Sequence, residues 1–160
     1  MRPSREHQKP SRLKSFSYRG YYRYFITIRS SSFKHHFVND EVVAKLIEIL
    51  KSTAEQKSFL VWAYCFMPDH VHLLIEGKKS NADMKVFVAL FKQRTAYWFK
   101  RIHGVQLWEA NYYEHVLRND EATRAVARYI IQNPVRKGIV EDCSKYYYSG
   151  SFELETIYSL

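Results

Sequence analysis

Cysteine is almost missing from this chain of 160 residues: Cys65 and Cys143 are its only two. Two cysteines cannot build a disulfide scaffold, and Cys65 lies in an apolar run where a free buried thiol is the ordinary state. Long hydrophobic runs are missing too, and none reaches the roughly 20 apolar residues of a membrane helix. The N-terminus is basic but has no apolar stretch of the signal-peptide kind, so the expected compartment is the cytoplasm, with no membrane partner. Acidic residues are scarce beside basic ones, 16 against 25, which leaves a net charge of +9 and a pI near 9.5. Such an excess favours a polyanionic partner, with nucleic acid the first candidate. Repeats and internal linkers are absent, so one domain over residues 1–160 is expected. What the chain does have is apolar content, 46% hydrophobic and 16% aromatic, enough for a globular core.

Residues 1–19 form a basic arm that carries Arg12 and Lys14. Tyr21 to Arg29 is rich in aromatic and β-branched residues and predicts a first strand. Its alternation turns Ile26 and Ile28 to the core and sets Phe25, Thr27 and Arg29 on the other side. The His35-His36 pair is a weak metal signal, because neighbours on an extended chain point apart. Asn39 or Asp40 can cap a helix to about Lys57, with Val43, Leu46, Ile47 and Leu50 as its buried stripe. Phe59 to Phe66 reads as a central strand. Met67-Pro68-Asp69 then predicts a tight turn, so that His70 to Glu76 returns antiparallel.

A second helix is predicted over about Asn81 to His103, with Met84, Phe87, Val88, Phe91 and Trp98 buried and Gly104 as its stop. Lys92, Arg94 and Arg101 lie elsewhere on it and are candidate DNA contacts. Val105 to Leu117 reads as a strand with an irregularity near Ala110-Asn111. Asn119 or Asp120 caps a third helix to about Asn133, which Pro134 should end or kink. Pro134 to Gly138 is then a basic exit turn, and residues 143–160 a terminal extension of uncertain structure. The order β α β β α β α, without its last helix, is that of a ferredoxin-like α+β fold: an antiparallel sheet with helices on one face.

The chemistry centres on His70 and His72. One strand step apart, they share a face, while Val71, Leu73 and Ile75 take the core side. Both imidazoles can converge on one metal ion, but a catalytic metal site normally needs a third protein ligand. Tyr129 and Asn133, spaced i and i+4, lie on one side of the third helix. Asn133 offers an amide oxygen to a hard cation; Gln132 is the rival, at i+3 and turned partly away. The Tyr129 phenol can act as a nucleophile where a cation polarises a phosphate.

Met67 to Glu76 (MPDHVHLLIE) together with Tyr129 to Val140 (YIIQNPVRKGIV) resembles the single-tyrosine HUH transposases, in which U is a hydrophobic residue. The resemblance is closest to their REP-associated branch, a relative of the IS200/IS605 type. Arg12-Leu13-Lys14, the Tyr-rich first strand and Leu107-Trp108 through Arg118 share it, so that it spans about residues 10 to 142. It implies His70, His72 and Asn133 as ligands of Mg²⁺ or Mn²⁺, and Tyr129 as a nucleophile carried on the C-terminal helix. The implied reaction is nicking and rejoining of single-stranded DNA through a 5′-phosphotyrosine, with no nucleotide cofactor. The implied partner is hairpin or palindromic repeat DNA, bound in the nucleoid by a monomer or homodimer. Arg12, Lys14, Lys92, Arg94, Arg101, Arg118, Arg136 and Lys137 are the expected DNA contacts. Two departures stand out: Asn133 where the IS200/IS605 type has Gln, and Glu109-Ala110-Asn111 where a basic or glycine-containing run is commoner. Two other classes fit the same residues, a non-catalytic module that binds single strands on its sheet and a metal phosphoesterase that uses water.

Overall fold

The structure is a computed structural model that describes residues 16–160. Arg12 and Lys14 lie outside the described residues. Seven elements follow in the predicted order, β1 (Arg23–Ser30), α1 (Asp40–Lys57), β2 (Phe59–Met67), β3 (His70–Gly77), α2 (Met84–His103), β4 (Trp108–Leu117) and α3 (Asp120–Arg136), and a short β5 (Ser149–Gly150) comes after them. Each helix starts on an Asn or Asp whose side chain accepts from a backbone N–H of the first turn: Asn39, Asp83 and Asn119. α1 ends on Ser58 and α2 on Gly104, both left-handed (φ 63° and 71°), the second being the stop that glycine makes cheap.

The sheet runs β4-β1-β3-β2-β5, antiparallel throughout. Its first four strands have the ferredoxin-like order, so this α+β expectation holds. α1 and α2 cover one face, where Tyr24, Ile26, Ile28, Val71, Leu73 and Ile75 join Leu46, Leu50, Phe87 and Phe91 in the main core. Trp98, expected in that core, is only half-buried, while Thr95 and Phe99 are buried in the same helix. Thr95 earns its burial by accepting from Trp108 Nε1 at 2.8 Å.

α3 crosses the opposite face. Ala127, Ile130 and Ile131 pack there with Ala63, Cys65 and Leu74 in a second core. Burying an isoleucine is worth about 1.5–3 kcal/mol, so this helix docks on few but deep contacts. Its first turn is tied to the sheet by Arg23, which bonds Asp120, Thr123 Oγ1 at 3.2 Å and Glu76 Oε2 at 2.7 Å. Trp62 Nε1 donates to the same Glu76 oxygen at 2.7 Å.

Two further details differ from the reading of the sequence. Pro134 does not end α3, which runs on to Arg136; placed in the last turn, the proline forfeits only its own bond to the Ile130 carbonyl. The terminal segment is part of the fold. β5 pairs with β2, Phe66 N donates to Tyr148 O at 2.8 Å, and Tyr146 Oη donates to Phe66 O at 2.6 Å. Cys143, Tyr146 and Ile157 from that segment are buried in the second core. The irregularity expected near Ala110-Asn111 is present: β4 shifts register against β1 there, with Ile28 paired to Tyr112 and Ser30 to Trp108. Lys92 Nζ holds it by donating to the carbonyls of Glu109 and Ala110 at 2.8 and 3.0 Å.

Candidate active site

Pairing, not proximity in sequence, builds the site. β3 is flanked by β1 and β2, and the register sets Thr27 opposite His72, Arg29 opposite His70 and Cys65 beyond His72. On β1's far side Tyr113 faces Thr27 and His115 faces Phe25. The row Tyr113–Thr27–His72–Cys65 therefore crosses the face that α3 partly covers.

The two imidazoles turn towards each other, Nε2 to Nε2 at 3.1 Å. Each Nδ1 is held from behind. His70 Nδ1 lies 2.6 Å from Asp69 Oδ1 and His72 Nδ1 lies 2.8 Å from Thr27 Oγ1. A carboxylate only accepts, so His70 carries a proton on Nδ1, and Nε2 is the nitrogen turned to His72. His72 is 8% exposed. Burial first, then the charges of His70, Arg136, Arg29 and Lys137, push its pKa down to about 3. It is neutral at physiological pH, the form that can ligate a metal.

Across from the histidines, α3 presents Tyr129 at 47% exposure. Its ring lies 6.1 Å from the His72 ring and 6.0 Å edge-on from Phe25. The Arg136 guanidinium stacks 4.0 Å from the Tyr129 ring centroid and donates to the Tyr129 carbonyl at 2.6 Å. Asn133, one turn further along the helix, is 2% exposed; its Nδ2 has no hydrogen-bond partner and its Oδ1 has only Arg136, at 3.4 Å. Gln132 instead donates to Cys143 Sγ at 3.4 Å, towards the terminal segment.

The donor chemistry suits a divalent cation. Ligands about 2.0–2.1 Å from a metal stand about 3.0 Å apart when cis in an octahedron and about 3.4 Å apart in a tetrahedron. The observed 3.1 Å between the two Nε2 atoms falls in that interval. A buried, under-bonded amide on the facing helix adds the oxygen donor. Among the described residues no group of three or more His, Cys, Asp and Glu gathers as a metal site, so the candidate set is two imidazoles and an amide.

A groove of about 1840 Å³ opens beside the site, lined by Phe25, Thr27, Arg29, Tyr113, Arg118 and Tyr129 among others. Small-ligand pockets hold about 300–1,000 Å³, so this one suits a polymer. Of the expected DNA contacts, Arg136 and Lys137 stand by His72 and Arg118 lines the groove. Lys92, Arg94 and Arg101 sit on α2, in the layer behind the sheet. Lys92 braces β4, Arg94 bonds Thr53 and Gln56 on α1, and Arg101 reaches Tyr97 within its own helix. Glu76, the acidic neighbour in the motif, belongs to the Arg23–Trp62 cluster instead. His36 stacks on Phe99 at 4.8 Å, away from the pair. Thr27 and Arg29 were not singled out from the sequence, although the alternation in β1 already put them opposite its core residues. No helix among the described residues is long and apolar enough to cross a membrane.

Known proteins share this architecture. A family model described as "Transposase IS200 like" matches residues 18–133. A Haemophilus influenzae protein described as "Putative REP-associated tyrosine transposase" is 26% identical over 141 residues, covering 79% of this chain and 77% of that one. A second H. influenzae protein, described as uncharacterized, is 24% identical over 160 residues, covering 81% of this chain and 89% of that one. The solved structure of a REP-associated tyrosine transposase bound to a REP hairpin superposes with a TM-score of 0.71 at 20% identity, over 87% of this chain and 81% of that one. A "putative transposase" from Deinococcus radiodurans R1 superposes with a TM-score of 0.51 at 27% identity, over 77% and 96%.

Proposed function

The chain belongs to the IS200-like transposase family, and on that premise we propose that it cuts and rejoins single-stranded DNA at hairpin-forming repeats through a covalent bond to Tyr129. The observation that carries the proposal is the meeting of two distant segments: the Tyr129 ring faces the His72 ring at 6.1 Å, beside the paired Nε2 atoms. His70, His72 and Asn133 would hold the cation, Mg²⁺ or Mn²⁺. When bound, the cation supplies Lewis acidity to a phosphodiester, drawing charge from its non-bridging oxygens.

The chain's own groups do the rest. Tyr129 Oη forms a bond to phosphorus and gives up its proton, while the bond from phosphorus to the 3′-oxygen breaks and that oxygen leaves as a 3′-hydroxyl. The product is a 5′-phosphotyrosine. Attack by a 3′-hydroxyl on that ester reverses the step and releases the phenol. Bond energy is conserved in the ester, which removes any need for a nucleotide cofactor. Arg29, Arg136 and Lys137 oppose the phosphate charge, with the guanidinium fork suited to two oxygens at once. The exposed half of the Tyr129 ring leaves room for an in-line approach from the groove. Phe25 and Tyr113 along that groove offer π-faces to unpaired bases. The hairpin partner is inferred from the structural relative, which was solved with one.

The test is a hairpin oligonucleotide with single-stranded flanks, incubated with the protein and Mg²⁺ or Mn²⁺ and run on a denaturing gel. A covalent adduct is expected from the wild type and none from Tyr129→Phe or His70→Ala. Cleavage by Tyr129→Phe would overturn the nucleophile and favour water in its place.

A further inference from the structure

Thr27 does more than fill a place on β1. It stands directly across the ladder from His72, with Oγ1 2.8 Å from Nδ1. At 8% exposure, the imidazole has few alternatives to this partner. A neutral imidazole has one proton for two nitrogens, and a hydroxyl can donate or accept. A cation held at Nε2 takes that lone pair and leaves the His72 proton on Nδ1, where Thr27 Oγ1 stands within hydrogen-bond distance.

We propose that Thr27 is the positioning residue that orients His72 for the cation. Its hydroxyl accepts from Nδ1–H and so aims Nε2 at His70 Nε2, 3.1 Å away. The bond strengthens once a cation is held, because a metal-bound imidazole is the better donor. A threonine here therefore favours cation binding, whereas an aliphatic residue of the same shape would leave the N–H of a buried imidazole without this partner. The inference rests on the proposed metal site, and its test separates the two.

The experiment titrates Mn²⁺ by electron paramagnetic resonance into wild type, Thr27→Val, Thr27→Ser and His72→Ala, with thermal melting to show that each is folded. Losing a partner of this kind typically costs about 10–100-fold in metal affinity. We expect Thr27→Val near the lower end of that range and Thr27→Ser close to wild type. Equal affinity of Thr27→Val and wild type would overturn the role of Thr27 while leaving the metal site standing. Equal affinity of His72→Ala and wild type would overturn the metal site itself.

Discussion

His72 should make the metal-free fold sensitive to mild acid. Its pKa lies near 3 in the folded chain, chiefly through burial, against about 6.5 when unfolded. The unfolded chain therefore takes up the proton first, and folding loses stability as pH falls below 6.5, continuing towards 3. Above 6.5 both states are neutral and the effect vanishes. Between pH 8 and pH 5 the loss from this one residue comes to about 2 kcal/mol, and it approaches about 5 kcal/mol at the acid limit. For a chain of this size, 2 kcal/mol lowers the melting temperature by about 4–8 °C. His36 is depressed too, by burial and then by Lys34 and His103, so the wild-type profile alone would blend two residues. The measurement is urea unfolding of EDTA-treated wild type and His72→Gln at both pH values. The wild type should lose about 2 kcal/mol more than the variant on acidification. Parallel profiles for the two proteins would refute the buried neutral histidine.

Other substitutions probe separate parts of the site and fold. Asn133→Ala should weaken Mn²⁺ binding by about tenfold or more, whereas Gln132→Ala, which loses a bond to Cys143 Sγ, should leave it near wild type; calorimetric titration distinguishes them. Arg136→Ala should weaken binding of a single-stranded oligonucleotide and flatten its salt dependence, and Arg94→Ala should not, as fluorescence anisotropy would show. Gly77→Ala should destabilise by about 3 kcal/mol or prevent folding, since its new Cβ would fall 1.8 Å from the Gly20 carbonyl oxygen; urea titration or loss of soluble protein measures it. Tyr129→Phe should melt within about 0.5 kcal/mol of wild type, because the hydroxyl belongs to a half-exposed ring, so loss of its adduct is not loss of fold.

Local rules carried the sequence a long way. Asn39, Asp83 and Asn119 cap the helices near where the hydrophobic periods start, and the Pro68-Asp69 turn folds β3 back on β2 as its residue types require. The strand period put His70 and His72 on one face and Thr27 and Arg29 on one face of another strand. It could not show that the two faces are the same one. That depends on β1 entering between β4 and β3, and on a register that a slip of one residue would invert. Lys92 and Arg94 stay open in the sequence for a related reason: a cation on a helix surface looks alike whether it meets a phosphate, the backbone of β4 as Lys92 does, or a neighbouring helix as Arg94 does. The terminal segment was opaque because its burial runs through single residues, Cys143, Tyr146 and Ile157, with no period to detect.

The two halves of the site are held by different means, one by ladder pairing and one by packing, and that division suits the proposed chemistry. The imidazoles sit on β3, paired on both edges, with each Nδ1 tied back by a neighbour. Little can shift the 3.1 Å between their Nε2 atoms without disturbing a central strand, so ligand geometry is set before any substrate arrives. Tyr129 rides on a helix held by an apolar stripe, by Arg23 at its first turn, and by Cys143, Tyr146 and Ile157 of the terminal segment. Its ring is gripped by Arg136, a side chain of the same helix, so ring and guanidinium move together when α3 moves. In the proposed reaction the ligands must keep one geometry while the nucleophile must be reached by DNA, and Tyr129, 47% exposed, is accessible. The pairing of a fixed ligand strand with an exposed residue on a packed helix follows from where the ladder bonds and the apolar contacts were placed.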